Sequence, residues 1–329
     1  MNSFEYARPA TVEEAVGYLG AAWGEIEILA GGTDLITSMK QHITAPKRVV
    51  SLKNLAKLRD IAEDDAALHL GATVTLKELA DHASVQQHFP ALVTAVREIG
   101  SAQIISTGTV AGDLCQRPRC WYFRNELGLL GMQDGESLVL KGENRYHAIF
   151  GNDGPAYFVS PTSLGPGLIA LGATITATGP NGAAREIPAG EFFKTPVNEM
   201  ERETALQPNE LVTAIHIPKR GLKNATYEIR HRAGLDWPYV TATVAYKEDN
   251  GVASEAQIVL GHVAPTPWPA PAAAAALTGA INAELAAKAG EAATEGAKPL
   301  SQNAYKVPMV KTAVKRAILR AAGLEETLA

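Results

Sequence analysis

Leu29-Ala30-Gly31-Gly32-Thr33-Asp34-Leu35-Ile36 is the stretch from which the rest of this chain can be read. A short apolar run, Ile26 to Ala30, has the texture of a buried strand, and Leu35, Ile36 and Met39 fall at helical spacing. A strand that ends in two glycines and opens a helix leaves backbone N–H groups facing one point. The helix dipole adds partial positive charge there, which suits a phosphate or diphosphate. Thr33 adds a hydroxyl donor. A tight strand-to-helix turn capped by Thr33 or Asp34 accounts for the same residues without any ligand. The glycine spacing fits neither the G-x-G-x-x-G fingerprint nor a Walker loop.

A second stretch of the same kind, Ser106-Thr107-Gly108-Thr109-Val110-Ala111-Gly112-Asp113-Leu114, is also small, hydroxyl-bearing and rich in glycine. Two such loops predict a clamp on one diphosphate between two subdomains, a stronger indication than either loop alone.

Working outward, Thr11 and Glu14 form a capping box before Ala15, Val16 and Leu19, and Arg48 to Leu52 is a second strand. Strand, glycine turn, helix and strand make an α/β unit that ends near 58. The pattern restarts with a strand at 68–72, a helix from Thr75 to Ala83 with a second capping box, and a helix from Phe89 to Glu98. Gly100 to Cys120 is polar and glycine-bearing, 121–155 is an irregular insertion, and Gly167 to Ala177 is one further element. Past Pro180-Asn181-Gly182 come long alternating strands at 210–217 and 239–246 and another at 256–261. An alanine-rich helix is expected over 270–298 and an amphipathic helix with a basic face over 307–322. The domain boundary is placed near 180–186, giving domains 1–180 (subdomains 1–58 and 59–180) and 186–329.

Composition narrows the function. Across 329 residues, 30 Lys+Arg against 35 Asp+Glu leave a net charge of −5, which argues against nucleic acid as the main partner. Two cysteines, Cys115 and Cys120, exclude a disulfide scaffold and a self-contained four-cysteine metal site. The start, Met1 to Tyr6, has no basic stretch followed by an apolar one, and no run approaches the roughly 18–20 apolar residues of a membrane span. A cytoplasmic protein is expected.

With these residues in view, the chain resembles the medium, FAD-binding subunit of the molybdenum hydroxylases, the xanthine dehydrogenase and carbon monoxide dehydrogenase family. The resemblance runs over nearly the full length. It includes Phe4-Glu5-Tyr6 through Pro9, both glycine loops, Leu168 to Ala173, Asn209 to Pro218, Arg232 to Asp236 before Pro238, and Gly296 to Lys306. It implies an α+β chain: a vanillyl-alcohol-oxidase-like FAD-binding domain in two α/β subdomains, then a C-terminal α+β domain like that of the CO dehydrogenase flavoprotein. It also implies FAD as cofactor and an electron-transfer role beside a large molybdenum-cofactor subunit and a small [2Fe-2S] subunit, in a dimer of heterotrimers. The cofactor-binding positions it implies are Leu29, Ala30, Gly31, Gly32, Thr33, Asp34, Leu35, Ile36, Thr107, Gly108, Thr109, Val110, Ala111, Gly112, Asp113, Ser163 and Arg230.

The chain departs from the family pattern in places. Around Cys115 and Cys120 it is similar to the 4-hydroxybenzoyl-CoA reductase branch, whose members carry an extra [4Fe-4S] cluster. Here Cys120 matches the first ligand, the insertion has no further cysteine, and Ala156 stands at the last ligand position. No iron–sulfur cluster is expected, because a cluster needs thiolates. Ala111-Gly112-Asp113 replaces Gly-Gly-Asn, Pro161-Thr162-Ser163 replaces Pro-Ser-Asp, and Ile105 replaces an arginine. An ionised Asp113 repels a diphosphate unless it points away or carries a proton. These changes leave a second reading, a structural subunit with weakened or lost FAD binding. A stand-alone flavin oxidase lacks a substrate acid–base set. His147 and His262, without spaced partners, read as structural, and Lys311, Lys315, Arg316 and Arg320 as a solvated or subunit-contacting face.

Overall fold

The computed structural model describes residues 1–232 and 234–325. Ala233, inside the Arg232–Asp236 match, lies outside the described residues. Glu5–Ala7 (β1), Ile26–Leu29 (β2) and Arg48–Ser51 (β3) pair in parallel in the order β1-β3-β2. Val12–Gly17 (α1) and Leu35–Lys40 (α2) make the crossovers. Thr11 caps α1 by accepting the Glu14 N–H at 3.1 Å, and Glu14 reaches back to the Ala10 N–H at 2.6 Å. Ala15, Val16, Val50 and Leu52 close one side of this sheet; Leu29, Met39 and Val49 close the other.

The second sheet is antiparallel: Ile61–Glu63 (β4), Ala67–Gly71 (β5), Thr174–Thr178 (β6), Ala184–Pro188 (β7) and Leu211–Pro218 (β8), in the order β4-β5-β8-β6-β7. Alternation puts Leu68, Leu70, Ile175, Ala177, Ile187, Ile215 and Ile217 into the largest core. They pack there with Leu79 of Leu76–Asp81 (α3) and Leu92 of Pro90–Arg97 (α4). The complete capping box of Thr75 and Glu78 starts α3.

The strand 210–217 is present, but it joins this sheet rather than the C-terminal one, because its apolar face completes the same core. The boundary expected at 180–186 therefore falls within this sheet, on the turn after β6 and the first half of β7, and the sheets part between Pro218 and Lys223. The stretch 100–120 contains two short helices, Ala102–Thr107 (α5) and Val110–Leu114 (α6), each capped by a hydroxyl side chain: Ser101 and Thr109. The single element expected over 167–177 is a helix, Gly165–Ala170 (α7), that turns at Gly172 (φ +73°) into β6.

The third sheet is antiparallel, with Lys223–Ile229 (β9), Val240–Asp249 (β10), Val252–Gly261 (β11) and Trp268–Pro269 (β12) in sequential order. Lys306–Ala321 (α9) covers it, and Ala283–Ala292 (α8) packs against α9. The alanine-rich stretch is not one helix: it breaks after Pro271–Ala276, crosses Gly279 at φ +118°, and restarts at Asn282, which caps α8 through the Leu285 N–H at 2.8 Å. Alanine favours helix at every position, but it cannot override a glycine and a cap. The insertion holds short helical turns at Trp121–Arg124 and Leu138–Lys141. It closes on an apolar cluster of Phe123, Leu129, Leu130, Ala156 and Phe158, against which Cys120 packs. No helix among the described residues is long and apolar enough to cross a membrane.

Candidate functional site

The two glycine loops meet. A Cβ on Gly31 would sit inside the van der Waals shell of the Thr107 carbonyl oxygen and 3.0 Å from Gly108 Cα, so only glycine lets the two backbones touch. Gly32 follows at φ +81°. Among the described residues, the N–H groups of Gly31, Gly32, Thr33 and Asp34 donate to no protein acceptor.

The second loop is spent internally. Val110 N–H donates to Val74 O (2.9 Å), Ala111 N–H to Ala72 O (3.2 Å) and Gly112 N–H to Thr109 Oγ1 (3.1 Å). Among the described residues, Thr109 is the one member of Thr109–Asp113 whose N–H has no acceptor. The first loop thus carries the donors and the second buttresses it.

Two hollows of about 340 Å³ and about 240 Å³ adjoin at these loops, and Thr33, Asp34, Thr109, Gly112 and Gln116 line both. The larger is walled by Trp23, Ile28, Leu35, Cys115, Arg117, Phe123, Arg202 and Glu203; the smaller by Glu98, Asp113, Arg119, Ser163, Glu228 and Trp237. The geometry fits a dinucleotide whose diphosphate lies at the waist and whose two ring systems occupy the lobes. Open N–H donors at the waist, and a buried Arg119 Nε without a partner, are polar groups awaiting an acceptor.

Of the positions expected from the sequence, Ala30, Gly31, Gly32, Thr33, Asp34, Leu35, Thr109, Ala111 and Gly112 line the larger lobe, and Gly108, Asp113 and Ser163 line the smaller. Leu29, Ile36, Thr107 and Val110 line neither lobe. Arg230 also lies outside them, its guanidinium engaged by Glu98 and by Gly234 O at 3.2 Å. Gln116, Arg117, Arg119, Glu228 and Trp237 escaped the sequence reading. The run Gln116 to Arg119, directly after the second loop, was the signal available for three of them.

Asp34 does not cap α2. Its carboxylate accepts the Arg117 N–H at 2.8 Å and meets Arg119 Nη1 at 2.9 Å and Arg124 Nη2 at 3.0 Å. It therefore pins segment 115–124 onto the first loop. Asp113 points away from the waist. It accepts from Thr162 Oγ1 (2.6 Å), Ser163 N–H (3.1 Å), Leu164 N–H (2.9 Å) and Gln116 Nε2 (3.0 Å). Burial outweighs the Thr162, Leu164 and Ser163 donors and leaves its carboxyl raised above the ordinary range. At position 163, where the resemblance puts a carboxylate, Ser163 instead gives its N–H to the carboxyl group of Asp113.

Both thiols stay neutral. Cys115 is exposed at the larger lobe, and the protein packed around that lobe, with nearby Asp113 and Glu203, pushes its thiol up to about 12. Cys120 Sγ lies 3.2 Å from His147 Nε2; burial raises the thiol and lowers the imidazole to about 4. No group of three or more His, Cys, Asp or Glu among the described residues converges as a metal site would require. His262 is buried against Thr241 Oγ1 at 3.1 Å. The basic side of α9 lies over β9: Arg316 and Arg320 stack on Tyr227, and Lys311 pairs with Glu291 at 2.5 Å.

An α+β chain with paired glycine loops at the waist of a two-lobed cavity is built to hold a dinucleotide cofactor. Residues 2–220 match the family model of the FAD binding domain in molybdopterin dehydrogenase, and residues 225–321 match the CO dehydrogenase flavoprotein C-terminal domain. The chain belongs to this family of FAD-binding dehydrogenase subunits. It is 28% identical over 314 residues to the aldehyde oxidoreductase FAD-binding subunit PaoB of Escherichia coli (strain K12), covering 94% of this chain and 96% of that protein. It is 28% identical over 322 residues to the carbon monoxide dehydrogenase medium chain of Hydrogenophaga pseudoflava, covering 96% of each. The solved carbon monoxide dehydrogenase from Hydrogenophaga pseudoflava superposes with a TM-score of 0.76 at 27% identity, covering 99% of both chains.

Proposed function

We propose that the chain is the FAD-holding electron-transfer subunit of a multi-subunit molybdenum hydroxylase. The observation that carries this reading is the open N–H row at Gly31–Asp34, which runs from the larger lobe to the waist of the two-lobed cavity. Bound FAD supplies a carrier that accepts electrons singly and releases them singly or as hydride. Gly31, Gly32, Thr33 and Asp34 offer main-chain donors to the diphosphate, and Thr109 adds one. Leu29, Ile36, Thr107 and Val110 shape the loops without lining a lobe. Ala30, Leu35, Gly108, Ala111, Gly112 and Ser163 form cavity wall. Arg230 acts through Glu98. Asp113 serves as the brace between second and third loops, which removes the main ground for a subunit that has lost its cofactor.

The division between the FAD-binding and C-terminal domains lies at 219–222, where the sheets part. A large molybdenum-cofactor subunit and a small [2Fe-2S] subunit are the partners, in a dimer of heterotrimers located in the cytoplasm. The kinship with the carbon monoxide dehydrogenase medium chain supports this assembly. Mixing the FAD-loaded chain with its chemically reduced iron–sulfur subunit tests the role: the oxidised-flavin absorbance bleaches as the clusters reoxidise. Flavin that stays oxidised beside reduced clusters contradicts it.

A further inference from the structure

Two carboxyl groups of different character line the smaller lobe, Asp113 on α6 and Glu228 on β9. Each oxygen of Asp113 accepts two donors: Oδ1 takes Gln116 Nε2 and the Ser163 N–H, and Oδ2 takes Thr162 Oγ1 and the Leu164 N–H. That shell of four donors opposes the burial that raises its carboxyl, so of the two Asp113 is the group that ionises more readily. The Glu228 side chain is 3% exposed and meets one cation, Arg230 Nη2, at 3.4 Å. That guanidinium is already paired with Glu98.

The other charges around Glu228 do not compensate it. Arg119, on the segment after α6, is bound to Asp34 at 2.9 Å. Asp236, in the loop beyond β9, lies 3.5 Å from Arg232. Across β10 the facing residue is Thr241, which is uncharged. From α9, Arg316 and Arg320 stack on Tyr227. A buried carboxyl beside a carboxylate, with no strong donor of its own, keeps its proton; burial and Asp113 push Glu228 up to about 8.

We propose that Glu228 is a neutral carboxylic acid that donates a hydrogen bond to the flavin ring of bound FAD and thereby couples its reduction potential to pH. The inference rests on the FAD reading above and takes the flavin ring as the group in the smaller lobe, where both carboxyl groups and Trp237 form the wall. Reduction brings two electrons from the iron–sulfur subunit and one proton from water, leaving an anionic ring; no bond to Glu228 forms or breaks. A neutral donor stabilises that anion. Once Glu228 loses its proton, the carboxylate repels the anion and the potential falls more steeply.

The test is a spectroelectrochemical titration of FAD in the intact complex across pH, for the wild type and Glu228→Gln. The wild type is expected to show an extra fall in potential above about pH 8, by at most about 30 mV per pH unit, the value of one tenfold step for a two-electron couple. E228Q, neutral at every pH, is expected to lack that break. Superimposable wild-type and E228Q curves overturn the proposal. Should E228Q fail to fold or to hold FAD, infrared difference spectra of the wild type decide: a protonated-carboxyl band that shifts on flavin reduction supports it, and no such band overturns it. A wild-type complex that contains no FAD overturns the cofactor reading itself, and this inference with it.

Discussion

Replacing Gly31 by alanine drives a methyl group into the Thr107 carbonyl. Overpacking of this kind costs about 1–3 kcal/mol, and because it parts the two loops, G31A is expected to bind FAD at least tenfold more weakly while the rest of the chain still folds. Flavin content after gel filtration, with circular dichroism as the folding control, checks this. Asp113→Ala strips acceptors from the Thr162 hydroxyl and the Ser163 and Leu164 N–H groups. Buried donors left unsatisfied cost about 1–3 kcal/mol each, so the urea midpoint falls well below that of D113N, which keeps part of the shell.

Glu228 gives a pH dependence with a definite sign. Its folded value of about 8 stands above the ordinary 4.5, so its contribution to stability is full below 4.5 and is lost as pH rises through 8. Melting temperatures across that window should fall less in E228Q than in the wild type. At this scale the glycines were legible because backbone contact demands them. Glu228 was not, since nothing local marks a strand residue that tertiary burial will keep protonated. Asp113 was legible as a departure, but its direction depended on Thr162 and Ser163, far along the chain.

Elements were read best where local chemistry starts them. The capping boxes at Thr11 and Thr75 and the periodicity of 307–322 correspond to α1, α3 and α9. The strand at 211–218 was legible but its partners were not, because alternation fixes which face is buried and not which sheet receives it. The break in the alanine-rich stretch was hidden because helix propensity summed over alanines masks Gly279 and Asn282. Gly290 marks where α8 meets α9: an added Cβ would lie 2.5 Å from Lys311 O. G290A should therefore lower stability by about 1–3 kcal/mol through displaced helices, measured by thermal melting, with FAD affinity little changed because α8 is remote from both lobes.

For the whole molecule, Lys306 ties the C-terminal helix to the insertion and to the third sheet. Its Nζ donates to the carbonyls of Tyr146 (3.0 Å), His147 (3.1 Å) and His262 (2.9 Å). The insertion is thus held at its far end by a lysine, and near the cavity by Asp34 and by an apolar cluster around Ala156. Asp34 lines both lobes and Phe123 of that cluster lines the larger one, so bound FAD should stabilise the chain. A ligand at a hundred times its dissociation constant adds about 2.7 kcal/mol. The most direct measurement is the amount of FAD released by heat from the purified complex, set against the amount of chain. One FAD per chain, falling sharply in G31A, is the predicted result. A wild-type chain that is folded, assembled with its partner subunits and free of flavin would contradict the account.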